Sequence, residues 1–550
     1  MNEEIKTFTE MLNHVIDTDK DTSTVTVLPA QCGIGKSSSI SYVIYRMLHT
    51  WNGAVLVVTD RIDRLSEYLY GNNVPQYMRD YFSNKSNLIC TLTAQNIKDE
   101  IARKHEVPIL LMCTQRFFTL SRDEVQAITD KYIPKRAIII DERAPLSETI
   151  EISYAEFSDI EKIIQTHLDN LTDQNNKEWL IHQWQALKER YRLIMKSYES
   201  DHTTDKEVWK YSDDNHHATD DDGRFKHLVF NTYRDKLNVR LNPFSNLGCL
   251  KAIQAILKIV YEDAIFVSER KNKKSPETKY SNKFFVELDH SDLVTNLDAK
   301  TIILDATGGI DPTYNKPYVN VVDCSRLDRP LPELTIHLVN INTSKSKLLK
   351  YDGTPNDKAI APIKLYIGSH LKYDAIFTHK AIEESFLDMF SVPEQERASH
   401  VGHFGALTGR NEFREMTDIV QVGLNRYPSE NYLSLAHENK MLRIGNGLTV
   451  YNPAGAANLS MLHSLLADII QNIFRTAIRN TDNTAPVNYW LIYRCMPEVD
   501  QNGVDANDLS DLAPMIKKEF KRLGARVEIH ETPDETQIKD RRTDQCAKSP

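Results

Sequence analysis

The chain has 550 residues, 41% hydrophobic and 26% charged, with 67 basic against 77 acidic side chains and a net charge of −10. That is an ordinary globular composition; it excludes a wholly disordered chain, and the length argues for several domains. No apolar run reaches the roughly 18 residues of a membrane span, the opening MNEEIKTFTEMLNHV lacks a secretory pattern, and seven scattered cysteines form no C-x-x-C pair, so a cytoplasmic protein with no membrane partner is expected.

Residues 1–20 read as an amphipathic helix. Five short apolar runs follow: Val25–Leu28, Ala54–Thr59, Leu88–Thr91, Ile109–Cys113 and Ala137–Ile140. Each is bounded by polar, helix-like stretches, the pattern of strands buried on both faces of a parallel sheet. The first run enters Pro29-Ala30-Gln31-Cys32-Gly33-Ile34-Gly35-Lys36-Ser37-Ser38. This fits the phosphate-loop pattern G-x-x-x-x-G-K-[ST], with Ala30 in place of the first glycine. Glycine is otherwise scarce, at 19 residues. Such a loop turns backbone N–H groups onto phosphates, and the helix after it adds its positive end. Residues Ala30 to Ser38 are therefore expected to bind ATP, with Lys36 bridging the β- and γ-phosphates and Ser37 on Mg²⁺.

The run Ala137–Ile140 ends in Asp141-Glu142. Acids at the carboxyl end of a buried strand face the crevice where α/β sheets bind ligands. Asp141 is expected to hold Mg²⁺ and Glu142 to orient and deprotonate the attacking water. From about 150 to 295 the pattern changes. Two helical stripes (Ile160, Ile164, Leu168, Leu171; Leu180, Trp184, Leu187, Tyr191, Ile194, Tyr198) and an acidic stretch at 201–225 mark an insertion. Phe266–Arg270 and Lys283–Leu288 there read as a hairpin. His202, His216 and His217 read as part of a solvated acidic loop, not a metal site.

Apolar runs return at Thr301–Leu304, Leu334–Val339, Ile363–Ile367, Ala375–Thr378, Ile419–Val422, Leu448–Tyr451 and Tyr489–Tyr493, which predicts a second α/β layer. Helices are expected over 461–480 and 508–523. Spacings of four would put Gln471, Arg475 and Arg479 on one face of the former. An arginine offered there can stabilise charge on a γ-phosphate.

With these residues in place the chain resembles superfamily 2 helicases of the DEAD/DEAH-like kind, of a phage or mobile-element style. Asp141-Glu142-Arg143-Ala144 is similar to their D-E-x-x box, and Leu304-Asp305-Ala306-Thr307-Gly308 to the Ser-Ala-Thr coupling motif, with Asp305 for the serine. Val57 to Arg61, Thr114-Gln115-Arg116, Gly405 to Phe413 and Gln471-x-x-x-Arg475-x-x-x-Arg479 resemble the remaining motifs in order. The resemblance implies an α/β fold of two RecA-like P-loop lobes with parallel sheets. The first lobe would span 1–150 and 296–330, the second 331–550, and a largely helical insertion 151–295. It implies an ATP- and Mg²⁺-dependent nucleic-acid helicase or translocase, acting on DNA rather than RNA. Asp305, Ala306 and Thr307 would couple hydrolysis to lobe movement, and Gln471, Arg475 and Arg479 would complete the ATP site. Thr59, Arg61, Thr114, Arg116, Gly409 and Asn411 would contact a strand, and the insertion offers a surface to a protein partner. Two alternatives stand beside this reading: a phage-terminase-like packaging ATPase, for whose nuclease the 330–550 half offers Asp374, Asp418 and Glu528 but no strand-borne set of acids, and a nucleotide-gated scaffold.

Overall fold

The structure, a computed structural model, describes residues 3–19, 21–50, 53–92, 107–118, 120, 122–129, 137–153, 206–211, 264–270, 280–297, 299–407, 412–438, 453–497 and 508–531, with residue 255 and scattered positions between 161 and 188. The opening helix α1 (Glu3–Thr18) places Phe8, Leu12 and Val15 on one face. They join Ile40, Val43, Ile44 and Met47 of α2 (Lys36–Thr50) in one core.

The first strands are β1 (Val25–Val27), β2 (Val55–Thr59), β3 (Ile89–Leu92), β4 (Ile109–Cys113) and β5 (Ala137–Asp141). Next come β6 (Ser147–Ser153), β7 (Lys206–Tyr211), β8 (Ala264–Arg270) and β9 (Tyr280–Asp289), then β10 (Thr301–Leu304) and β11 (Val319–Val321). The last group is β12 (Leu334–Asn340), β13 (Ala375–Thr378), β14 (Val401–His403), β15 (Asp418–Val422), β16 (Val487–Tyr493) and β17 (Arg526–His530).

One seven-stranded sheet has the order β11-β1-β10-β5-β2-β4-β3, and all its pairs are parallel. Every residue of β1, β2, β5 and β10 is buried, as their unbroken apolar runs require. A six-stranded sheet, β14-β13-β15-β16-β12-β17, is parallel as well. By contacts the chain divides into two units: Met1–Ala144 with Ser291–Arg426 and Met461–Pro550, and Pro145–His290 with Tyr427–Ser460. Both parallel sheets belong to the first.

The second unit contains a four-stranded antiparallel sheet, β6-β9-β8-β7. The expected hairpin is its β8–β9 pair, from Ile265↔Phe285 to Arg270↔Tyr280. The insertion read as largely helical thus carries a sheet, while the residues of both helical stripes lie outside the described residues. Residues 427–460, assigned from sequence to the second lobe, join this unit. The reason is apolar packing: Leu433 and Ala436 of helix Ser429–Glu438 cluster with Phe285 and Ala456.

Two further expectations change. Ile363–Ile367 is part of helix Asp357–His370, which buries Ala359, Ile360, Ile363, Tyr366 and Ile367. That spacing is helical, and a five-residue apolar run alone could not reveal it. The helix expected over 461–480 runs from Pro453 to Ile473 and stops there; Ala477–Arg479 forms a separate single turn of 3₁₀-helix. Gln471, Arg475 and Arg479 therefore share no helical face. Leu448–Tyr451 lies outside the described residues.

Candidate active site

Strand register sets the layout. Asp141 at the end of β5 pairs laterally with Thr59 of β2 and with Leu304 of β10, whose other neighbour is β1. The turns leaving these four strands emerge together at the carboxyl edge, where parallel α/β sheets receive ligands.

The turn after β1 carries the phosphate-loop pattern. Gly33 and Gly35 both have φ of +92°, a left-handed conformation that disfavours side chains. Space enforces the same choice. A Cβ on Gly33 would lie 2.4 Å from the Arg479 carbonyl oxygen, and one on Gly35 would lie 2.4 Å from Ile5 Cγ1 of α1. Lys36 is buried and its Nζ donates to the Ala30 carbonyl at 3.0 Å, closing the loop on itself. Ala30, Ile34 and Ser38 are buried around it, while Cys32 is half-buried. Gln31 turns away: its amide accepts from Arg329 N–H at 2.9 Å and donates to Arg329 carbonyl at 3.1 Å.

The two acids are held differently. Asp141 Oδ2 accepts from Tyr68 hydroxyl at 2.6 Å and from Ser37 Oγ at 3.4 Å. Burial pushes its carboxyl above the usual range, Arg64 opposes this, and Glu142 adds to it. Glu142 has φ of +78°, uncommon for a side chain of its size. Backbone strain of this kind costs about 1–3 kcal/mol and persists only where the surroundings fix it. Here Arg64 Nη1 donates to Glu142 Oε1 at 2.9 Å and Arg475 Nη2 stands 3.6 Å from Oε2. Burial alone would raise the Glu142 carboxyl, but Arg475, Arg64 and Lys36 hold it well below the usual range. Arg64 also pairs with Asp60 at 3.3 Å.

Arg64 and Tyr68 were missed from the sequence. They sit one turn apart on α3 (Ile62–Tyr70), on the face that also buries Leu65 and Leu69. The signal was available: two polar residues at i and i+4 on the core side of an amphipathic helix.

Residues between β15 and β16 of the second sheet approach the same turns. Arg475 reaches it from the turn following helix Pro453–Ile473. Arg479 is set by its carbonyl's close approach to Gly33. Gln471 Nε2 donates to Thr307 Oγ1 at 3.2 Å. Arg143 pairs with Asp311 at 2.6 Å and with Asp468 at 3.3 Å, and Asn425 donates to the other Asp468 oxygen at 3.1 Å. Arg329 donates to the Asn480 carbonyl at 2.9 Å and to the Ile478 carbonyl, so Gln31 and Arg329 link the loop to the Arg475–Arg479 segment. A cavity of about 420 Å³ opens beside the loop, lined by Pro29, Gln31, Ala306, Ile470 and Phe474 among others.

Asp305 is buried, and its Oδ1 accepts from the Thr307 N–H and hydroxyl, both at 2.9 Å. Tyr314 hydroxyl donates to Asp305 Oδ2 at 2.8 Å and accepts from the Ala144 N–H at 3.0 Å. Asp305 is thus the centre of a buried network joining the turn after β10 to the turn after β5. Tyr314→Phe strands a carboxylate oxygen and an amide in the interior, and is expected to cost about 1–3 kcal/mol. A lowered urea midpoint with unchanged slope would show it.

The residues expected to contact a nucleic-acid strand are placed unevenly. Thr59 is fully buried, and its hydroxyl donates to Asp60 Oδ1 at 3.3 Å, so it packs under the site instead of facing a phosphate. Arg61 is half-exposed and pairs with Asp63 at 2.9 Å. Thr114 and Arg116 are half-buried on the short helix Thr114–Phe117 that leaves β4. Gly409 and Asn411 lie outside the described residues.

No family model and no curated protein matches this sequence. Among solved structures the chain is similar to S. tokodaii Xpd4, at 15% identity and a TM-score of 0.48 over 96% of this chain and 100% of that one. It is similar to an apo XPD, at 15% identity and 0.45 over 94% and 100%. A third is Mss116p bound to ssRNA and AMP-PNP, at 11% identity and 0.32 over 98% and 78%. Likenesses this distant add nothing to what strand order and site residues establish. The fold is α/β with two parallel sheets, and adjacent strand ends of the first carry the phosphate-loop pattern, the Asp141-Glu142 pair and the Asp305-Ala306-Thr307 turn.

Proposed function

We propose that the chain is an ATP-driven nucleic-acid helicase or translocase. One observation carries the reading: Arg475, delivered by a segment of the second sheet's half, stands 3.6 Å from Glu142 at the mouth of the phosphate loop. A site assembled from two halves makes hydrolysis depend on their closure.

The residues fit the nucleotide and its metal. The Gly33–Gly35 cradle has no room for side chains, and Ser37 Oγ and Asp141 Oδ2 are hard oxygen donors 3.4 Å apart, the ligand type Mg²⁺ takes. Ser37 and Asp141 would hold the cation, which neutralises charge on the β- and γ-phosphates when bound. Tyr68 fixes the Asp141 carboxylate from behind. Lys36 exchanges the Ala30 carbonyl for phosphate oxygens. Glu142, kept ionised by two guanidiniums, accepts a hydrogen bond from the attacking water and orients it. Arg475 then turns to charge growing on the γ-phosphate, and the Gln471–Thr307–Asp305 chain passes the change to the network around Tyr314.

The packaging alternative gains no support from its acids. Asp374 Oδ2 accepts from the Thr417 and Asp418 amides at 2.9 and 3.0 Å, and Asp418 pairs with Lys372 at 2.8 Å. Glu528 stands beside two histidines instead.

The test is ATP turnover with single- and double-stranded DNA and RNA at several salt concentrations. Turnover is expected to rise with nucleic acid, more with DNA than RNA. Half-saturation should shift upward as salt rises, because phosphate contacts release counterions. A rate indifferent to every nucleic acid would sink the motor reading and favour the nucleotide-gated scaffold.

A further inference from the structure

The far edge of the six-stranded sheet holds a cluster that the ATP site does not use. Among the described residues β17 is the edge strand and pairs with β12 alone, with His337↔Glu528 and Val339↔His530 in register. Side chains alternate faces along a strand, so Glu528 and His530 share a face, beside His337 on the neighbouring strand.

Three ligand atoms converge there. His337 Nδ1 lies 3.0 Å from His530 Nε2 and 3.4 Å from Glu528 Oε2, and His530 Nε2 lies 3.8 Å from the same oxygen. Zinc–ligand bonds of about 2.0–2.2 Å set the edges of a tetrahedron at about 3.4 Å. The three observed distances bracket that value, so one cation can sit above the triangle with small side-chain adjustments.

A second feature is independent of these distances. Asn488 Nδ2 donates to Asp418 Oδ1 at 2.8 Å, which turns its Oδ1 toward His337 Nε2 at 3.4 Å. That oxygen can only accept, so Nε2 carries the proton and Nδ1 presents its lone pair to the cluster. Carboxylate, amide and imidazole in series are how proteins fix the tautomer of a metal-bound histidine. The ring is further clamped by Trp490, stacked with centroids 3.8 Å apart.

We infer that His337 Nδ1, His530 Nε2 and Glu528 Oε2 form a binding site for a divalent cation of the zinc type. His337 is buried while Glu528 is exposed, so the fourth position faces solvent and takes water. The cation ties the edge strand to β12 through side chains as well as backbone.

The full-length protein, stripped with a chelator, is titrated with Zn²⁺ against a chromophoric competitor and separately with Co²⁺. One tight equivalent and an intense tetrahedral Co²⁺ spectrum are expected. Asn488→Ala should weaken binding about 10- to 100-fold. His530→Ala should weaken it more than about 100-fold and abolish the Co²⁺ band. Zn²⁺ should raise the melting temperature of the wild type and not of His530→Ala. Glu528→Gln, at an exposed edge position, keeps the fold if His530→Ala does not, and must also weaken binding. A wild type that takes up no stoichiometric Zn²⁺, or a Glu528→Gln protein of unchanged affinity, overturns the assignment.

Discussion

Lys36→Ala and Glu142→Gln are each expected to lower ATP turnover at least about 100-fold, but by different routes. Lys36 is the one cation built into the turn of the loop, buried and already pointed inward at the Ala30 carbonyl. Removing it takes charge from the place where phosphate charge sits in both ground and transition states. Lys36→Ala should therefore lose nucleotide affinity as well as turnover. Glu142 faces Arg64 and Arg475. Glutamine keeps its shape and most of its hydrogen bonds, but cannot draw a proton from water. Glu142→Gln should bind a fluorescent ATP analogue as the wild type does, and hydrolyse almost none. Arg64 retains Asp60 and Asp141 as partners, so the fold should survive, and a melting curve checks that. Wild-type turnover in Lys36→Ala would remove the phosphate loop from the chemistry. Wild-type turnover in Glu142→Gln would give the water-positioning role to another group.

Much of the first parallel sheet was legible because its strands are short, uninterrupted apolar runs punctuated by polar helices. The tight turn around Gly33 and Gly35 and the strand end at Asp141 were legible because glycines and acids punctuate apolar runs there. What stayed hidden depended on tertiary contact. Nothing local says that Arg64 and Tyr68 face the carboxylates, since their partners lie 77 and 73 positions away along the chain in β5. Thr59 reads as a turn residue, yet the helix that follows its strand folds over it. Regular four-residue spacing past Ile473 suggested one helix, but the chain turns there and delivers Arg475 from a non-helical position. The histidines conspicuous in sequence, His202, His216 and His217, lie outside the described residues. The pair that meets, His337 and His530, is separated by 193 positions and brought together by strand pairing.

Of the two arginines that sequence could not rank, Arg475 is expected to dominate catalysis. Arg475→Ala should lower kcat about 1,000-fold or more with nucleotide binding little changed, the effect of removing an arginine that meets transition-state charge. Its guanidinium is buried and 3.6 Å from Glu142. Arg479 meets the loop through its backbone carbonyl at Gly33, which Arg479→Ala leaves in place, so that variant should lose less rate than Arg475→Ala. A purely structural Arg475 would give the same loss of rate, and pH separates the two. Arg475 is the foremost of the cations that depress the Glu142 carboxyl against the pull of burial. Without it the depressed value rises, so residual activity should fail at a higher pH on the acid side than in the wild type. Arg475→Lys restores charge and not the planar fork; it should recover the acid limb and little of the rate. An acid limb unmoved in Arg475→Ala would mean that this arginine does not face Glu142 in the working enzyme, and that the closure of the two halves does not run through this pair.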